Sequence, residues 1–225
     1  MGSAESRNIE ARLGKAIFTN VNLPRKFYIW HTGRTSTKFF LAEDKSNPTH
    51  LVSVPNACRV QLILYNGPTI EAEPMAVILF GNDISRHDRI QLAARPGEEM
   101  MHEEIRSHCH RWSTAYTFAT FIKPGALPER FQWRSSRCNE VKDLNEASSG
   151  YKLVRLGGDE EIVAVASHAR WGKNWTKAGA FKFVGRGVTG EFGEPWQVIA
   201  VASLIRILQK DIESASTAAL ISCSG

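Results

Sequence analysis

In the stretch HARWGKNWTKAGAFKF, four cations, Arg170, Lys173, Lys177 and Lys182, are interleaved with Trp171 and Trp175. Several mobile cations converging on one point suit a phosphate, and indole rings sit well at head-group depth in a membrane interface. The same alternation suits single-stranded nucleic acid, with bases stacked on the indoles, although an anionic head group is the preferred ligand here. A third reading is a strand-connecting loop whose tryptophans fold back on the domain while its lysines are merely solvated. A second basic group, Arg25, Lys26, Arg34 and Lys38, surrounds the turn TGRTST. It can complement the first group at one rim, or it can protect exposed strands from pairing with other chains.

Further along, MMHEEIRSHCHRW holds His102, His108, Cys109 and His110 within nine residues. Imidazole and thiolate ligate zinc or copper, and His108 and His110 point the same way if the piece is extended. Their spacing matches no zinc module, so no metal is assigned. Cys58, Cys109, Cys138 and Cys223 are widely spaced without a CxxC pair and read as free thiols. No nucleophile stands beside a base, and no pair of carboxylates marks a rigid element. GRGVTGEFG, residues 185–193, lacks GxxxxGK[ST], and its glycines fit a tight turn better than a phosphate cradle. The chain therefore reads as non-enzymatic and calls for no cofactor.

The elements that position these residues follow from periodicity. The composition, 43% hydrophobic and 23% charged, is globular, and the net charge of +5 favours acidic partners. Residues 1–20 carry no apolar run of secretory type, so an intracellular protein is expected, cytoplasmic or peripheral to membranes. From Lys26 onward short β-branched and aromatic segments alternate at a period near two: KFYIWH, KFFLAED, HLVSVP, RVQLILYNGP, PMAVILFG, RIQLAA, TAYTFATFI, ERFQWRSS, EVKDL, GYKLVRLGG, EIVAVASHA and AFKFVGRG. With an early strand near Lys15 to Thr19, about a dozen strands are expected, most of them eight to fifteen residues apart. PGEEMMHEEIRS reads as a short surface helix. The last helix, from Pro195 to about Glu213, is apolar on nearly every face, its polar positions between Trp196 and Leu208 being Gln197, Ser203 and Arg206. Arg206 cuts its apolar run well short of the roughly 20 residues a bilayer requires, so protein must surround it and no transmembrane segment is assigned. A barrel of about eight strands is filled by its own side chains, whereas about twelve leave a lumen that needs a plug. The fold expected is mainly β, a twelve-stranded antiparallel barrel enclosing the hydrophobic C-terminal helix. Residues 1–20 are expected as a partly flexible N-terminal segment with a candidate first strand, 21–213 as the barrel with its helix, and 214–225 as a flexible tail.

The stretches LILYNGPTIEAEPMAVI, FQWRSSRCNEVKDL, GYKLVRL, EIVAVAS and FKFVGRGVTGEFGEPWQVIAVASLIRI, in this order and closed by the apolar helix, resemble the tubby C-terminal-like superfamily. That superfamily includes tubby proteins, plant LURP-one-related proteins and phospholipid scramblases, and the likeness is greatest to its uncharacterised fungal branch. The resemblance implies a twelve-stranded barrel threaded by its C-terminal helix. It also implies an anionic phospholipid or phosphoinositide as ligand, since tubby domains hold such head groups through basic surface residues, while the plant branch is linked to defence. The chain departs from scramblases in lacking an acidic calcium loop, a cysteine-rich acylation tract and a membrane-length C-terminal segment. A protein-interaction scaffold without lipid affinity and a ligand carrier or enzyme with a pocket at the barrel end stay open as alternatives.

The eight large apolar residues of the helix, from Trp196 to Leu208, represent roughly 12–24 kcal/mol of gross burial. Net stabilities are about 5–15 kcal/mol. A fragment of residues 1–193 is therefore expected not to fold, and a soluble fragment with a cooperative thermal transition would overturn the plug assignment.

Overall fold

The computed structural model describes residues 4–16, 20–31, 38–55, 61–81, 87–94, 96, 99–110, 113–123, 125–145, 149–168 and 177–223, with side chains from Asn8 to Ser214 except at His110, Ser113 and Asn145. Its elements are α1 (Ala4–Lys15), β1 (Lys26–His31), β2 (Lys38–Ala42), β3 (His50–Ser53), β4 (Gln61–Tyr65), β5 (Pro74–Leu79), β6 (His87–Leu92), β7 (Met101–His110), β8 (Ser113–Thr120), β9 (Glu129–Ser136), α2 (Asn139–Asn145), β10 (Gly150–Leu156), β11 (Ile162–His168), β12 (Lys177–Phe183) and α3 (Gly193–Cys223). Each strand pairs antiparallel with the next in sequence. β1 then pairs with β12, so the twelve strands form one closed barrel. Closure leaves no unpaired edge.

The lumen is filled by α3. From Val198 to Gln209 every residue of the helix is buried. The helix packs nearest β5 and β6, and the wider gap on its other side is filled by aromatic rings from the remaining wall. Phe27 stacks on Phe181 at 4.9 Å and Phe118 on Phe131 at 5.4 Å, while Trp196 meets Phe131, Phe183 and Phe192 at 4.7–5.6 Å. One polar contact crosses this apolar interior: the Trp133 indole N–H donates to Ser203 Oγ at 3.0 Å, and Ser203 donates to the Ala200 carbonyl. The glycine-rich turn before α3 lets the chain enter. A Cβ on Gly187 would overlap the Val163 carbonyl, and Gly193 has φ +76°, a conformation that glycine adopts without steric cost.

Two short helices cover the outside. α1 packs on β5 through Ile9 and Leu13, spaced four apart on one face, and Arg12 donates to the Ala72 carbonyl at 2.8 Å. With α3 inside and α1 outside, β4 and β5 are buried on both faces, which explains why QLILY and PMAVIL are continuous apolar runs instead of alternations. α2 lies across β10, β11 and β12, where Val141 and Leu144 pack on Val165 and Ala180.

Three expected elements differ. EVKDL is part of α2, because Val141 and Leu144, three apart, share a helix face but would lie on opposite faces of a strand. The segment expected as a surface helix supplies β7: Met101, Glu103 and Ile105 are half-buried or buried, His102, Glu104 and Arg106 are exposed, and this alternation outweighs its helix-forming composition. The early strand expected near Lys15 to Thr19 is absent where the chain is described, since Lys15 closes α1, and residues 17–19 lie outside the described residues. α3 also runs past Glu213 to Cys223, through alanine-rich sequence with no glycine or proline to stop it.

Replacing Ser203 with alanine leaves the Trp133 N–H buried without an acceptor. It is expected to cost about 1–3 kcal/mol in urea denaturation. An unchanged midpoint would mean that the contact does not help to seat the helix.

Candidate functional site

Because the strands alternate in direction, their connections divide between two ends of the barrel. The strand ends joined by the connections 32–37, 54–60, 80–86, 111–112, 137–149 and 169–176 lie at the mouth from which α3 leaves. By sequence these exit-mouth connections hold eight Lys or Arg against four Asp or Glu, whereas the entry-mouth connections 43–49, 66–73, 93–100, 121–128, 157–161 and 184–192 hold four against ten. A strand of six residues is roughly 20 Å long, about twice the screening length at physiological salt. The connections at the two ends therefore differ in the sign of their net charge, with Arg25 and Lys26 adding two cations to the entry end.

This division re-sorts the basic groups expected from sequence. Lys177 opens β12 at the exit mouth, paired across the ladder with Trp30, and its Nζ lies 3.7 Å from the centre of the Tyr28 ring and 4.9 Å from that of Trp30. Burial, with Lys26 nearby, lowers its pKa. Lys182 is not its neighbour. It lies five residues along the strand, about 16 Å away, exposed on the outer wall and paired with Lys26. Arg25 and Lys26 likewise belong to the entry end of β1, while exposed Lys38 opens β2 at the exit end. Because β1 lies between β12 and β2, the strand ends at His31, Lys38 and Lys177 are neighbours on the rim. Arg34, Arg170, Trp171, Lys173 and Trp175 themselves lie outside the described residues.

The histidine and cysteine candidates do not converge. His102 and His108 are exposed on β7, six residues and roughly 20 Å apart, and Cys109 alternates to the opposite face of the strand from His108. The side chain of His110 lies outside the described residues. Among the described residues no group of three or more metal-ligating side chains is placed to hold an ion.

Sequence reasoning missed a polar cluster where α3 leaves the barrel. Asp88 is buried on the inner face of β6 and receives Lys210 Nζ at 2.7 Å, Arg206 Nε at 3.2 Å and the Gly81 N–H at 2.9 Å. Arg206, also buried, lays its guanidinium on the Phe80 ring at 3.6 Å and reaches Glu213 at 3.7 Å. Burial alone would raise the Asp88 pKa, but Arg206, Lys210 and the Gly81 N–H outweigh it and hold the carboxyl below its ordinary value. One residue on, Asp211 accepts the Tyr151 hydroxyl at 2.9 Å and lies 3.8 Å from His168. Here burial prevails over Tyr151 and His168, and the carboxyl is raised. Tyr116, beneath Lys210, is pushed up to about 12 by burial and by the charges of Asp211 and Asp88. Asp88, Arg206, Lys210 and Asp211 each have a partner within the cluster, so the arrangement latches the helix to the wall and presents no free acid or base. The available signal was Arg206, the one charge inside the apolar run, which required a buried counter-ion.

Comparison with family models, with curated proteins and with solved structures gave no match to this chain.

The latch gives opposite expectations for its two aspartates. Asp88→Asn leaves Arg206 buried without its counter-ion and is expected to cost roughly 3–5 kcal/mol in chemical denaturation. Because the folded pKa of Asp88 is depressed, the wild-type advantage is complete above the ordinary value of 3.8 and falls away as pH drops through the folded value. Asp211 is raised, so its ionised form opposes folding at neutral pH, and Asp211→Asn is expected to hold or raise the melting temperature there. Equal losses in the two variants at pH 7 would contradict this assignment.

Proposed function

We propose that the protein is a non-enzymatic tubby-like domain that docks through its exit mouth on anionic phospholipid surfaces, phosphoinositide head groups among them. The observation that carries this reading is the division of charge between the mouths, eight cations against four acids at one and four against ten at the other. A negative surface attracts the first and repels the second, so the field orients the barrel before any contact is made. The connection that joins β11 to β12 holds Arg170 and Lys173 without an acid and adds Trp171 and Trp175, residues suited to the interface. Beside it, Lys177 is cradled by Tyr28 and Trp30. The apolar residues of the helix from Trp196 to Leu208 have no part in the contact, because they are enclosed by the barrel. Among the described residues no helix is long and apolar enough to cross a membrane. Each basic residue near an anionic surface contributes about 1 kcal/mol, which makes binding weak and salt-sensitive unless an aromatic residue also inserts.

The exit-mouth variant Arg170→Glu with Lys173→Glu is expected to abolish pelleting with vesicles containing phosphatidylserine or a phosphoinositide, without lowering the melting temperature. Lys182→Glu, on the outer wall toward the other end, is expected to change pelleting by less than twofold. Wild-type pelleting should fall at least tenfold between 50 and 300 mM salt, a range chosen to span the screening argument. Equal losses from both variants, or tighter binding to a single-stranded oligonucleotide than to vesicles, would overturn the reading.

A further inference from the structure

The entry mouth carries features that docking on an anionic surface leaves unused. Among the described residues the exposed large hydrophobic side chains are Ile70 at 44%, Phe121 at 57% and Leu127 at 86%. All three lie at this mouth, in the β4–β5 and β8–β9 connections, and between these on the rim the β6–β7 connection adds half-buried Met100. A single exposed leucine is ordinary, but Phe121 and Leu127 are both more than half exposed within one connection, and Ile70 lies at the same mouth. The β8–β9 connection is also shaped in advance: Gly125 turns the chain at φ +74°, and the Ala126 N–H donates to the Lys123 carbonyl at 3.2 Å. A preformed loop loses less conformational entropy when a partner covers it.

The charge around these residues selects the partner. Glu129, Glu160 and Glu161 are committed to Arg155, Arg134 and Arg186, whereas Glu71, Glu73, Glu99 and Asp159 stand exposed on the rim. With ten acids against four cations in its connections, to which Arg25 and Lys26 add two, this mouth keeps an acidic excess that opposes an anionic membrane and makes Phe121 and Leu127 poor lipid anchors. Two copies meeting mouth to mouth would oppose like charges, so self-association is disfavoured as well. A protein segment that combines cations with apolar anchors at helical spacing satisfies both features at once. We infer that the entry mouth is a docking surface for a cationic amphipathic helix of a partner protein, its apolar face on Ile70, Phe121 and Leu127 and its basic residues toward the acidic rim.

The test uses the full chain in lipid-free buffer and a fluorescein-labelled 18-residue Lys/Leu peptide patterned as an amphipathic helix, read by fluorescence anisotropy. Saturable binding is expected, at least fivefold weaker for a peptide of the same composition in scrambled order. Phe121→Ser with Leu127→Ser, and separately Glu73→Lys with Asp159→Lys, are each expected to weaken it at least fivefold while the melting temperature stays within 2 °C. If the serine pair does not fold, Leu127→Ser alone, at a nearly fully exposed position, carries the same expectation. Undiminished binding by the folded serine variant, equal binding of the scrambled peptide, or loss of vesicle pelleting in the serine variant would overturn the inference.

Discussion

Twelve strands closed on themselves enclose more space than their own side chains can fill, and the remaining features of the fold follow from how that space is occupied. A helix within a β-barrel meets apolar wall in every direction, so α3 could not be amphipathic. It is also thinner than the lumen. The helix therefore lies against β5 and β6, and aromatic rings from β1, β8, β9 and β12 take up the difference. The polar contacts that remain fix its depth and rotation: Ser203 against Trp133 midway, and Arg206 with Lys210 against Asp88 at the exit. Apolar packing alone tolerates sliding by a residue or a turn, whereas a buried ion pair is satisfied in one register.

The parts of this arrangement that were legible in the sequence depend on local pattern. α3 could be read because every face of it is apolar, and most strands because their alternation or their continuous runs are complete within a few residues. β7 was not, since Glu103, Glu104 and the flanking methionines speak for a helix, and only the need for a strand between β6 and β8 decides otherwise. EVKDL and the early strand were lost to the opposite error. The strand total agrees partly because these errors compensate. The latch was hidden for a different reason: Asp88 and Arg206 are 118 positions apart, and nothing local to either identifies the other.

The same holds for charge. Read along the chain, Lys177 and Lys182 form one basic cluster with the loop before them, yet the strand separates them, and Arg25 and Lys26 from Lys38 in the same way. What sequence order scatters, barrel topology collects, because every second connection falls at the same mouth. A net charge of +5 for the chain conceals an excess of acid at one end. Counted by connection, the two ends of the barrel carry net charges of opposite sign.

The seam that closes the barrel joins residues 26–31 to 177–183. The contacts that complete the wall are therefore among the most distant in the chain, and loop-closure entropy has to be met before they form. Until β12 has been made, a nascent chain has an open sheet with two unpaired edges and a bare aromatic inner face, and the helix that fills the lumen emerges later still. Synthesis from the N-terminus thus cannot yield a finished domain until the last helix has left the ribosome. Through that interval the unfinished sheet is the species most exposed to aggregation, and the one with most need of a chaperone.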